Sequence, residues 1–187
     1  MELQGERLIP VPQDRTWAAL NDPQVLKACI PGCESLERTA DDAYAAVMAV
    51  RVGPVSARFK GNLKLRDVQA PRSYTLDFDG QGGVAGFGKG SADVVLLPEG
   101  AQTRLQYSAR AQVGGKLAQI GSRLVDAAAA KVTEDFFKAF ELQLAPAAAP
   151  VDADHAPLPA DAPRGNRALW WGVAVLVLVL LWLWLRR

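Results

Sequence analysis

Few residues in this chain could do chemistry, and their spacing argues against most of the reactions they could support. The glycine cluster GQGGVAGFGKG, residues 80–90, follows a phosphate-binding loop from Gly83 to Lys89. At its last position Gly90 replaces the serine or threonine that would hold magnesium. A strand pattern follows it, so no helix N-terminus would face a phosphate. The cluster therefore reads as a hairpin with close backbone packing. Cys29 and Cys33 are spaced C-x3-C with no second pair, whereas a structural zinc site needs four ligands. They read as small turn or core residues. The single histidine, His155, falls in an Ala/Pro-rich stretch, which removes Ser-His-Asp and Cys-His pairs from consideration. Asp77 and Asp79 alternate with Leu76 and Phe78 and so point to solvent, while Asp41, Asp42 and Glu99 sit beside turns. Nothing resembles a buried acid/base pair. Inward positions that are apolar and aromatic, with no reactive group among them, describe a pocket that holds a molecule without converting it.

The elements that must build such a pocket are legible from periodicity. Residues 1–10 read as an opening strand. A short helix starts near Pro12 or Gln13 and includes Trp17. A second, 23–28, is capped by Asn21 or Asp22 and has proline in its first turn. Strands follow at 43–52, 55–67, 73–80, 86–97 and 103–113. The second of these alternates most clearly: Val55, Ala57, Phe59, Leu63 and Leu65 face one way, and Arg58, Lys60, Lys64 and Arg66 the other. Residues 114–144 carry no proline and read as one long helix. On it Leu117, Ile120, Leu124 and Ala128 share a face. Gly121 and the alanines at 127–130 make its middle thin, which leaves room beneath it. The apolar stripe drifts, so Phe136, Phe137 and Phe140 lie well round from Ile120. The order predicts an α+β domain with the helix on one face of a curved antiparallel sheet. The side chains expected to line the space are Trp17, Phe59, Leu63, Phe78, Tyr107, Leu117, Ile120, Gly121, Leu124 and Ala128.

Length and charge bound the rest. A chain of 187 residues with net charge +1 predicts one domain, 1–144, plus an appendage, and argues against nucleic-acid binding. Residues 1–15 carry Glu2, Glu6 and Asp14 and no apolar run, so no signal peptide is expected. Residues 145–167 are rich in Ala and Pro and read as a linker. Residues 168–185 are uncharged, with Trp170, Trp171, Trp182 and Trp184 near the two ends and arginines outside them. A helix there would be about 27 Å long, close to the hydrocarbon thickness. These features predict a single-pass tail anchor in the inner (cytoplasmic) membrane, with the domain in the cytoplasm.

In combination, several segments resemble the G subunit of carbon monoxide dehydrogenase, a branch of the START-like (SRPBCC) superfamily. They are Ala28-Cys-Ile-Pro-Gly-Cys-Glu34, Val52-Gly-Pro-Val55 with Phe59 and Gly61, Lys89-Gly-Ser-Ala92, and Gly115-Lys-Leu-Ala-Gln-Ile-Gly-Ser-Arg-Leu124 followed by Phe136-Phe137. The resemblance covers residues 1–144. It implies a helix-grip fold, with a seven-stranded antiparallel sheet wrapped round a long C-terminal helix and an apolar cavity between them. It also implies association with a molybdenum hydroxylase of the carbon monoxide dehydrogenase/xanthine dehydrogenase type. Such a protein would recruit that enzyme to the membrane and carry a quinone for electron transfer, with no catalysis and no covalent cofactor of its own. Two alternatives stand beside this: a membrane adaptor without a ligand, and a START-like lipid carrier or enzyme with another ligand.

Overall fold

The computed structural model describes residues 1–145. The elements run β1 (Glu2–Ile9), α1 (Gln13–Leu20), α2 (Pro23–Cys29), β2 (Cys33–Ala40), β3 (Ala43–Val52), β4 (Val55–Gln69), β5 (Ser73–Gln81), β6 (Phe87–Glu99), β7 (Gln102–Gly114), α3 (Lys116–Gln119) and α4 (Ser122–Leu144). The strands form one antiparallel sheet in the order β1-β7-β6-β5-β4-β3-β2. Every neighbour except the β1–β7 pair is also a neighbour in sequence, so short turns set most of the register. The expected α+β helix-grip arrangement, a seven-stranded sheet with a long C-terminal helix, is present. The linker and the apolar span expected at 145–167 and 168–185, Ala145 apart, lie beyond the described residues. Among the described residues no helix is long and apolar enough to cross a membrane.

Local chemistry explains the element ends. The Asp22 carboxylate accepts a hydrogen bond from the Gln24 amide at 2.8 Å, and Pro23 opens α2, so the second helix starts where its cap and proline require. The alternation in β4 is realised: Phe59 is buried, while Arg58, Lys60, Lys64 and Arg66 are exposed. On that outer face Arg66 pairs with Asp77, and Arg104 bridges Glu6 and Glu99 at 2.8 Å each.

Two expectations need correction. Residues 114–144 are not one helix. Gly121, at φ 95° and ψ 144°, separates the single turn of α3 from the 23 residues of α4. That backbone conformation is close to the region open only to glycine, and another residue there is strained by about 1–3 kcal/mol. The chain turns at this point and the helical phase restarts. Leu117, Ile120, Leu124 and Ala128 therefore do not share a face: Leu117 is buried, Leu124 is 51% exposed, and Val125 takes the inward position. The strand β2, moreover, has no counterpart in the periodicity. It is an edge strand in which Leu36 alone is buried, so it offers no alternation to read.

The main core lies where α1, α2 and the C-terminal half of α4 meet β1, β6 and β7. Ile9, Leu96 and Phe140 are fully buried there, with Val11, Leu20, Leu105 and Phe137 around them. Two buried hydroxyls are satisfied in series. Thr103 donates to the Val11 carbonyl at 2.8 Å, and Thr16 approaches Thr103 at 3.1 Å. A separate cluster of Phe59, Ala85 and Leu117 closes the far end of the sheet.

Candidate functional site: an apolar cavity on the concave face

Between the main core and the Phe59 cluster the concave face of the sheet is not filled. Two adjoining chambers occupy the space, of about 220 Å³ and 310 Å³. They share Ile30, Leu36 and Leu63 as a common wall. The first is walled on the sheet side by Tyr44, Leu65, Tyr74, Leu76, Val94, Leu105 and Tyr107, and roofed by Leu20, Leu26, Phe136 and Phe137. The second is walled by Met48, Val50, Phe59 and Phe78, with the glycines 61, 80 and 88 forming part of its surface. No side chain of α4 reaches the second chamber, which is also the more open of the two. Protein interiors normally hold few voids larger than a water molecule. Two adjoining voids on one sheet face, with walls almost wholly apolar, are a site for an apolar ligand.

The aromatic walls are held from behind. Tyr107 and Phe137 lie with ring centroids 5.3 Å apart, and Phe136 stacks on Phe140 at 5.5 Å. The Arg7 guanidinium sits 5.7 Å over the Phe137 ring and pairs with Glu134 of the same helix. Its Nε is buried without a partner, so the contact with Phe137 is made at some desolvation cost. The cavity has few polar handles. Arg38 donates to the Tyr44 hydroxyl at 3.0 Å and to the Asn21 carbonyl at 2.7 Å. Burial raises the pKa of Tyr74 above the ordinary phenol range, with a smaller contribution from Tyr44, so its hydroxyl stays a neutral donor. Burial also raises the thiols of Cys29 and Cys33, although Lys27 opposes this at Cys33. Neither is set up as a thiolate nucleophile. Among the described residues no three His, Cys, Asp or Glu side chains gather to hold a metal ion. The histidine at 155 lies outside the described residues.

The structure brings together part of the expected lining. Leu63 borders both chambers, Tyr107 the first, and Phe59 and Phe78 the second. Trp17 stands behind the wall, edge-on to Tyr74 at 5.6 Å, and is not part of the lining. Leu117 and Ile120 pack in the Phe59 cluster beyond the second chamber. Gly121 is exposed, and a methyl group added to it would meet nothing within 4 Å. Leu124 points largely to solvent, and Ala128 is half-buried but reaches neither chamber. The helix contributes through Phe136 and Phe137 instead. Leu26 of the roof and Ile30, the residue that ends α2, escape the sequence reading, although their i, i+4 spacing matches one face of a helix. The glycine cluster forms a turn at Gly83–Ala85 and then β6, the hairpin expected of it. A methyl group at Gly86 would lie 1.9 Å from the Gly114 carbonyl oxygen, so close backbone packing accounts for that glycine.

Solved structures share this architecture. A conserved protein from Geobacillus kaustophilus is 31% identical, with a TM-score of 0.72 over 76% of this chain and 94% of its own. A protein from Thermus thermophilus, 22% identical, has a TM-score of 0.58 over 76% of this chain and 96% of its own. A START superfamily protein from Mycobacterium smegmatis, 15% identical, has a TM-score of 0.58 over 76% and 95%. The last two show the fold alone. No curated protein matches the chain. Residues 5–145 match the family described as the G subunit of carbon monoxide dehydrogenase (CoxG). These residues span both chambers and every element from β1 to α4, and the chain belongs to the CoxG family of carbon monoxide dehydrogenase subunits.

Proposed function

We propose that this protein is a non-catalytic, membrane-anchored accessory subunit of a molybdenum dehydrogenase of the carbon monoxide dehydrogenase/xanthine dehydrogenase type. It recruits the enzyme to the membrane and carries a quinone between the bilayer and the enzyme. Family membership supports the association with the enzyme. The observation that carries the ligand is the pair of chambers: their walls are apolar, and they lie in one continuous stretch of the concave face. The first chamber is small beside the roughly 300–1,000 Å³ of ordinary ligand sites, and the second lies at the lower edge of that range. A ring-sized headgroup fits the less open first chamber, and an isoprenoid tail has to leave through the more open second one. Tyr74 lines the first chamber, and burial keeps its hydroxyl a neutral donor, which suits a carbonyl acceptor. The apolar run at 168–185 supports the anchor.

The test is to isolate the full chain from membranes with its dehydrogenase and to extract the bound lipid. The expected result is a quinone in proportion to the chain, and, when residues 168–187 are removed, release of the enzyme from membranes washed in high salt, which screens surface charge. Capture of the enzyme with no lipid extracted would favour a pure adaptor. A bound lipid that is not a quinone, with no enzyme captured, would favour a different START-like carrier.

A further inference from the structure

Besides the passages between the sheet and α1 and α2, the antiparallel order places three connections at each end of the sheet. At one end lie the β2–β3, β4–β5 and β6–β7 turns, at the other the β3–β4 turn, the Gly82–Gly86 loop and the passage from β7 through α3 into α4. The two ends differ in charge. The first three connections carry Asp41, Asp42 and Arg72; the strand ends beside them add Asp67 and Glu99, and Asp42, Asp67 and Glu99 pair with Lys64, Arg66 and Arg104. The second three, residues 51–56, 81–88 and 114–124, carry Arg51, Lys116 and Arg123 and no acidic residue. All three cations are exposed, and among the described residues none forms an ion pair. Asp126, one turn into α4 from Arg123, is the acidic residue closest to them in sequence. Three exposed cations without an ion pair among the described residues thus gather at one end of a chain of net charge +1.

The cationic end also exposes apolar side chains at its tips. Val84, at the crest of the Gly82–Gly86 loop, is 86% exposed, and Leu124, in the first turn of α4, is 51% exposed. The three connections converge. A methyl group at Gly53 would touch Leu124 Cδ1 at 3.9 Å, and one at Gly115 would lie 2.4 Å from Gly86 Cα. Beneath them Phe59 packs with Leu117 and Ala85, and Phe59 is also a wall of the open second chamber. The apolar tips thus lie at the end of the sheet to which the second chamber is nearer.

We propose that this end of the domain docks on an anionic bilayer surface. Val84 and Leu124 enter the acyl boundary while Arg51, Lys116 and Arg123 lie against lipid phosphates. Apolar tips flanked by unpaired cations match an interface whose outer layer is anionic and whose interior is apolar. A folded protein partner would not require both features together, and at the opposite end most of the charges are already paired with one another. The proposal deepens the carrier role, since it sets the open chamber towards the lipid from which a ligand would come. It rests on that reading only for its purpose: vesicle binding reads the surface whether or not the cavity is occupied.

Residues 1–145 carry their own core, and the Geobacillus kaustophilus protein of matching extent is a solved structure by itself. This domain, without the apolar tail, should therefore sediment with vesicles of mixed phosphatidylglycerol and phosphatidylcholine, and far less with phosphatidylcholine alone. Binding should fall as salt rises. Each cation replaced by glutamine, as in Lys116→Gln or Arg123→Gln, should weaken binding about fivefold. Glu99→Gln, at the other end, should not weaken it. A tryptophan introduced as Val84→Trp should shift its emission to the blue on mixing with the anionic vesicles. All these positions are exposed, so the variants keep the fold, which circular dichroism checks. Three results would overturn the proposal: no binding to anionic vesicles, no emission shift at position 84, or cation variants that bind vesicles normally but lose the dehydrogenase. The last would assign the surface to a protein partner.

Discussion

The C-terminal half of α4 buries Phe137, Phe140 and Leu144, whereas the N-terminal half buries Val125 and runs through four alanines at 127–130. The sheet below is continuous, with the same antiparallel partners along its length. The difference therefore comes from the helix. Where it carries aromatic side chains it closes the core and roofs the first chamber. Where it carries methyl groups no side chain reaches down, and the second chamber stays open. A single helix can thus supply both the stability of the domain and its vacancy, because the two duties fall on different turns.

This contrast can be broken by substitution. Phe140→Ala, at a fully buried position, should destabilise the domain by about 3–5 kcal/mol in chemical denaturation. Leu124→Ala, at a residue 51% exposed, should change stability by less than about 0.5 kcal/mol. Equal effects would mean that the two halves do not divide the work. Filling the space comes next. Leu63 borders both chambers, so Leu63→Trp should lower affinity for a short-chain quinone at least about tenfold, or 1.4 kcal/mol. Its effect on stability should stay within the roughly 1–3 kcal/mol of an overpacked core. Fluorescence titration beside a denaturation curve separates the two, and unchanged affinity would place the ligand elsewhere. Substitution at Gly121 cannot serve the same purpose, because that position faces no cavity.

The smallest effect belongs to the outer face and should leave both halves of α4 untouched. Arg66 holds Asp77 below the ordinary carboxylate range through its hydrogen bond and charge. A carboxylate with a lowered folded pKa stabilises the fold above its unfolded pKa, and that contribution fades as pH falls through the folded value. Acid should therefore weaken the domain slightly, and Asp77→Asn should remove this part of the pH dependence. The pair is exposed, so the effect is small. A midpoint for Asp77→Asn that tracks the parent at every pH would show that the pair contributes nothing.

Much of the fold is legible because its signals are local. The alternation of β4, the proline and Asp22 cap of α2, and the break at Gly53-Pro54 each depend on residues a few positions apart. The failures arise where local signals run out. Leu117, Ile120 and Leu124 keep helical spacing across Gly121 because α3 and α4 obey the same period on either side of a turn. The spacing does not record that the backbone changed direction. Leu36 alone is buried in β2, since an edge strand needs little apolar face. Phe136 and Phe137 drift off the stripe in sequence, but what they meet depends on where the helix crosses the sheet. The meeting of Tyr107 with Phe137 is a tertiary fact. Sheet residues of the cavity, Phe59, Leu63, Phe78 and Tyr107, follow from a period of two. The roof does not, because it requires the placement of α2 against α4.

The central claim is that the concave face encloses space for an apolar guest. Native mass spectrometry of residues 1–145, prepared without detergent, tests it most directly. The account predicts a population heavier than the bare chain by the mass of one quinone, released on organic extraction and diminished by Leu63→Trp. A folded domain found only at its bare mass, which also takes up no quinone on titration, would contradict it.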